Sequence, residues 1–164
     1  MFTDQNESDN YSTDKMGWEM LKPYIPKDKV IWSPFYSNGK MKEYFAEMGF
    51  DIIHEDKDFF SYTPDYDILI DNPSFSNMKQ VCTKLKELDK PFIIVARSNL
   101  LLTKWFRRIF RSHLQVIIPD RSPTFTHLTK PKKGYVPPYG VFFYCYKMEL
   151  ITDLIFLEWP EWPK

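Results

Sequence analysis

The chain has 164 residues, 43% hydrophobic and 18% aromatic, with 22 basic and 22 acidic side chains and a formal net charge of zero. That length supports one domain with a substantial core rather than two, and the aromatic content excludes a disordered chain. The two cysteines, Cys82 and Cys145, lack paired spacing, which argues against a disulfide scaffold or a metal site, and no apolar run approaches the ~18 residues needed to span a bilayer.

Residues 1–13 are polar, have no apolar period and are expected to be disordered. Asp14 is placed to cap a short helix to Lys22, which Pro23 and Pro26 stop. Residues 29–32 read as a strand, 33–39 as a loop, and 40–48 as an amphipathic helix burying Met41, Tyr44, Phe45 and Met48, with Gly49 as its left-handed cap. Residues 50–55 form the next strand, for which a parallel right-handed crossover is the default. The run 66–70 is apolar and branched, and Asn72-Pro73 punctuates its end. Helical spacing returns over 77–88, a strand over 92–96, a helix capped by Asn99 over 99–110, and a strand over 114–118. Residues 120–138 read as a long irregular stretch, 141–146 as the last strong strand, and Trp159, Pro160, Trp162 and Pro163 mark an aromatic tail, docked or in contact with a protein partner. The alternation predicts one α/β domain over 14–148 with a tail at 149–164, in a soluble intracellular protein with no membrane association.

Chemistry concentrates where the run 66–70 ends. Pro73 cannot continue a central ladder, so the chain must turn out of the sheet at its carboxyl edge, where open α/β sheets bind ligands. There the side-chain carbonyl of Asn72 and the backbone carbonyl of Pro73 can accept hydrogen bonds, and Phe75 offers a stacking face. Two acceptors and a platform suit a planar exocyclic amine, although a strand followed by an ordinary Asn-Pro turn has the same pattern. Gly39 allows close backbone approach before a helix N-terminus, an arrangement suited to a carboxylate, and Glu55 lies roughly 20 residues further on, where an acidic residue can accept from ribose hydroxyls. His54 alternates with apolar neighbours as a packed strand histidine, and Cys82 reads as a small buried hydrophobe.

The charges are segregated. Residues 51–71 hold seven acidic side chains against Lys57 alone, and residues 97–133 hold nine basic ones against Asp120 alone. The basic region, with Arg107, Arg108, Arg111, Arg121, Lys130, Lys132 and Lys133, is either a polyanion footprint or a solvated face. Arg121 and Phe125 have the chemistry to hold the phosphate and base of a flipped or single-stranded nucleotide.

Residues Asn72-Pro73-Ser74-Phe75 resemble the Asn-Pro-Pro-aromatic signature of amino-group methyltransferases that use S-adenosylmethionine, with Ser74 at the second proline. Pro34, Phe35, Tyr36 and Gly39 resemble the first motif of that family, with Ser33, Ser37 and Asn38 at its acidic and glycine positions, and Asp58-Phe59-Phe60 resembles its Asp-Phe-Phe element. With the phrases Tyr-Ile-Pro-Lys-Asp-Lys, Ile-His-Glu-Asp and Lys-Pro-Phe-Ile, the span 18–148 is similar to a compact N6-adenine methyltransferase family of viral and phage type. The resemblance implies a Rossmann-like class I methyltransferase fold with a shortened third strand. It implies catalytic roles for Asn72, Pro73 and Phe75, and cofactor contacts from Ser33, Pro34, Phe35, Tyr36, Gly39, Glu55, Asp58 and Phe59. The acceptor it implies is an adenine of DNA or RNA, and the small size of the chain mildly favours a single strand. A viral origin would place the protein in a host's cytoplasm or nucleus. Because four motif positions differ, a catalytically inactive protein of the same fold with a structural or assembly role is the competing expectation, and methylation of a glutamine amide is a third.

Overall fold

The apolar, branched runs assemble into one sheet, and the amphipathic segments between them cover both of its faces. The computed structural model describes residues 10–130 and 134–158. Its strands are β1 (Tyr11–Thr13), β2 (Ile31–Trp32), β3 (Ile52–Ile53), β4 (Ile68–Asp71), β5 (Phe92–Arg97), β6 (Leu114–Pro119), β7 (Phe125–His127), β8 (Val141–Tyr146) and β9 (Leu154–Leu157). Seven of them form the main sheet in the order β3-β2-β4-β5-β8-β6-β9. Pairing is parallel from β3 through β5 and again between β6 and β9, while β8 runs antiparallel to both β5 and β6.

Helices α1 (Lys15–Glu19) and α2 (Met41–Glu47) pack on one face, and α3 (Met78–Leu88) and α4 (Lys104–Ile109) on the other. Strand alternation decides which core each side chain joins. Ile93 and Val95 enter the first core with Trp18 and Phe45, whereas Phe92, Ile94 and Ala96 enter the second with Val81, Leu85 and Phe106. Strands covered on both sides need apolar residues at consecutive positions, which is why residues 92–96 read as an unbroken apolar run. The architecture is thus α/β, a mostly parallel seven-stranded sheet between helical layers, compatible with a Rossmann-like fold.

Several expectations are corrected. Residues 11–13 are not disordered: β1 pairs antiparallel with β7 in a second, two-stranded sheet, Tyr11 opposite His127 and Thr13 opposite Phe125. The stretch 120–138 therefore carries a strand, and residues 154–157 of the expected tail extend the main sheet beside β6. Residues 1–9 and the tryptophan-proline tail from Trp159 onward lie outside the described residues. Asp14 precedes α1 but makes no side-chain cap; its carboxylate accepts the hydroxyls of Thr124 and Thr126, both at 2.6 Å, and so fastens the two-stranded sheet. Asn99 lies inside a 3-10 turn, Ser98–Leu102, and Thr103 precedes α4. Residues 54–67 contain no strand, so β3 is the sheet edge where a shortened third strand was expected. Among the described residues, no helix is long and apolar enough to cross a membrane.

Candidate functional site

Strands β4 and β5 run side by side with Asp71 opposite Ile94, so Asn72 and Arg97 leave the sheet at the same carboxyl edge. A cavity of 460 Å³ opens there. Its walls are Phe35, Tyr36 and Ser37 after β2, Asn72, Pro73, Ser74 and Phe75 after β4, Arg97 at the end of β5, and Tyr139 before β8. The remaining wall comes from Tyr11 on β1, Phe125 on β7 and the connection that follows, with Leu128, Tyr135, Pro137 and Pro138. The volume lies in the range of small-molecule sites, and the position is the one at which open α/β sheets take ligands. Tyr11 stacks on Tyr135 with ring centroids 4.8 Å apart, so β1 supplies part of an aromatic wall.

Asp71 holds the two principal loops together. Its carboxylate accepts the Ser33 hydroxyl at 2.9 Å, the Phe35 backbone N–H at 2.6 Å and the Asn72 backbone N–H at 2.7 Å. The residue is 2% exposed, and burial pushes its carboxyl up to about 7 against the pull of those three donors toward the ionised form. Protonation would place a hydrogen on an oxygen that now only accepts, and the Ser33 hydroxyl would then have to turn and accept it.

Asn72 is fixed from the opposite side. Its Nδ2 donates to Thr13 Oγ1 at 3.0 Å, and its Oδ1 is buried without a hydrogen-bond partner. A buried carbonyl oxygen left unpaired costs ~1–3 kcal/mol, so this atom calls for a donor. Pro73 is buried and Phe75 half-buried. The Phe75 ring meets Tyr139 edge to face at 6.5 Å.

Arg97 lies against both of those rings, its guanidinium 4.4 Å from the Tyr139 centroid and 5.1 Å from that of Phe75. Among the described residues no carboxylate pairs with it, and its Nε is buried without a partner. Sequence reasoning counted Arg97 only as part of a basic run. The usable signal was its position as the last residue of a strand parallel to the one that Asn72 follows.

The other expected cofactor residues divide. Phe35 and Tyr36 line the cavity, but Ser33 is fully buried with its hydroxyl committed to Asp71, and Pro34 is buried behind it. Ser37 and Gly39, not Asn38, take the left-handed backbone, at φ 51° and 73°. Asn38 Oδ1 instead accepts the Lys40 N–H at 3.1 Å, and a Cβ on Gly39 would meet the Tyr36 hydroxyl at 2.8 Å, so the Tyr36 ring already occupies the space the glycine opens. That ring also stacks on His54 at 5.0 Å; His54 is buried outside any strand, donates Nδ1–H to the Ser33 carbonyl at 2.9 Å, and burial holds its pKa below the ordinary value.

Glu55 stands outside the cavity, paired with Lys57 at 2.9 Å and accepting the Tyr62 hydroxyl at 2.9 Å, interactions that lower its pKa. Asp58 is exposed, and its backbone carbonyl accepts the N–H groups of Ser61 and Tyr62. Phe59 is a core residue against Trp32 and Phe35.

Of the expected nucleic-acid residues that the structure describes, Phe125 alone lines the cavity. Arg107 and Arg108 are exposed on α4, Arg111 borders a separate depression with His113 and Gln115, and Arg121 and Lys130 are exposed in the connections flanking β7. Lys132 and Lys133 lie outside the described residues. Cys82 and Cys145 are free and buried, and burial pushes both thiols up to about 12, so neither is a nucleophile. No protein-family model matches the chain, and no curated protein is significantly similar to it.

Proposed function

We propose that the cavity receives an adenine of nucleic acid and is the site of S-adenosylmethionine-dependent methyl transfer to its N6 amine. The observation that carries this reading is the unpartnered Oδ1 of Asn72, held by the Thr13 hydrogen bond in a residue that lines an aromatic cavity. An exocyclic amine supplies the missing donor. Phe75 and Tyr139 offer ring faces or edges to a base, and the connections that carry them are anchored by β4 and β8.

The amine of adenine is a weak nucleophile because its lone pair is delocalised into the ring. Hydrogen bonds accepted by Asn72 Oδ1 and the Pro73 carbonyl draw its hydrogens out of plane, which favours the geometry the nitrogen needs as a bond forms. S-adenosylmethionine would supply the electrophilic methyl group, its methyl–sulfur bond breaking as the nitrogen–carbon bond forms, with the neutral thioether as leaving group and one N6 proton passing to water. Phe35, Tyr36 and Ser37 form the wall nearest the first loop and are the residues available to hold it. An extrahelical base avoids the few kcal/mol needed to flip a paired one, so a single strand is the preferred acceptor.

A second reading has specific support: the chain is a methyltransferase-like scaffold that does not use the cofactor. The Tyr36 ring fills the space over Gly39, and Glu55 is committed to Lys57 and Tyr62 away from the cavity. Titration calorimetry separates the two readings. Catalysis predicts saturable binding of S-adenosylmethionine and of its demethylated product, weakened at least tenfold by Phe35→Ala; absence of heat at millimolar cofactor would leave the scaffold reading.

A further inference from the structure

We infer that Arg97 is a phosphate-binding residue and that the cavity takes one whole unstacked nucleotide, base and phosphate together. The base half rests on the adenine reading above; the phosphate half rests on Arg97 alone. A guanidinium is always ionised, and withdrawing it from water without an acceptor is costly. Here the Nε is buried and unpartnered, and among the described residues no carboxylate answers the charge. The aromatic rings of Phe75 and Tyr139, 5.1 Å and 4.4 Å away, compensate part of the charge and hold the planar group in place, but supply no oxygen acceptor to its N–H donors.

A group fixed in this way and left with unused donors matches a multidentate anion, and phosphate presents oxygens at the spacing of the guanidinium fork. The same cavity wall includes Asn72, whose buried Oδ1 has no partner, an acceptor that repels anions and selects a donor. One acceptor and one cation in the same lining, Asn72 just beyond β4 and Arg97 closing the adjacent parallel β5, give the cavity two opposite chemistries. A nucleotide has that polarity: amino-bearing base at one end, phosphate at the other. The exposed arginines on α4 belong to a different surface and do not line the cavity.

The test compares adenosine, adenosine 5′-monophosphate, cytidine and cytidine 5′-monophosphate by calorimetry at fixed salt. The monophosphate of adenosine should bind about 10- to 100-fold more tightly than adenosine, as a charged hydrogen bond provides. In Arg97→Met that ratio should collapse toward one, and in Arg97→Lys it should be partly kept. Equal affinity of adenosine and its monophosphate for the wild type would overturn the phosphate assignment while leaving the adenine reading intact. A phosphate advantage of the same size for both bases, with no preference for adenine, would support Arg97 and overturn the adenine reading. Binding of none of the four would overturn both. If circular dichroism finds Arg97→Met unfolded, the wild-type ratio and the Arg97→Lys ratio decide the matter.

Discussion

Asp71 illustrates how one buried side chain can organise the rim of a cavity without lining it. It collects donors from both loops, and removing it would leave two backbone N–H groups and a hydroxyl to find water in a dry place. In the unfolded chain its carboxyl titrates near 3.8, whereas burial lifts it to about 7 in the fold. Between those values the unfolded chain has released a proton that the folded chain keeps, so this group's contribution to stability is full below 3.8, falls as pH rises, and is lost above about 7. Urea unfolding at pH 4 to 8 should therefore differ between wild type and Asp71→Asn by an amount that changes with pH, on the order of a few kcal/mol across the interval. A pH-independent difference would mean that the carboxyl is already ionised in the fold throughout. That Asn72, Pro73 and Phe75 stand at the cavity was legible because an Asn-Pro step ends a buried strand. Arg97 and the role of Asp71 were not: nothing in their local sequence says what a neighbouring strand leaves unpaired.

At the scale of elements, the short strands β1 and β7 were the hardest to read. Three residues are too few for alternation to separate a strand from a loop, and the pairing joins positions more than a hundred residues apart. Yet β1 contributes Tyr11 to the cavity wall and the Thr13 hydroxyl to Asn72. The longer elements were read closely, α3 at 78–88 against an expected 77–88 and β8 at 141–146 as expected, because periodicity over two or more turns or across a buried strand is a strong signal. Two outcomes follow for the two-stranded sheet. Asp14→Ala removes the acceptor for the Thr124 and Thr126 hydroxyls and should lower stability by about 1–3 kcal/mol in chemical denaturation. Thr13→Val keeps the shape but deprives Asn72 Nδ2 of its acceptor; it should weaken adenosine binding several-fold, and unchanged affinity would show that the Thr13 hydroxyl does not orient the amide.

On the scale of the whole molecule, a chain with no net charge concentrates acidic side chains in residues 51–71 and basic ones in residues 97–133. Arg107 and Arg108 lie exposed on α4, on the face opposite α1 and α2, so any backbone phosphate they neutralise is additional to the cavity. Replacing both by alanine should weaken binding of single-stranded oligonucleotides without regard to sequence and flatten its salt dependence, by a slope of ~1 for each phosphate that is no longer neutralised. Identical salt slopes in variant and wild type would exclude α4 from the interface.

The adenine reading itself comes down to a single reaction. Purified protein, S-adenosylmethionine with a labelled methyl group, and single-stranded oligonucleotides with or without adenine should yield label only on the adenine-containing strands, recovered as N6-methyladenine. Asn72→Ala should lower that rate by about two orders of magnitude, the value of one hydrogen bond strengthened in the transition state. Absence of label from every adenine-containing strand, or a rate that survives Asn72→Ala unchanged, would contradict it.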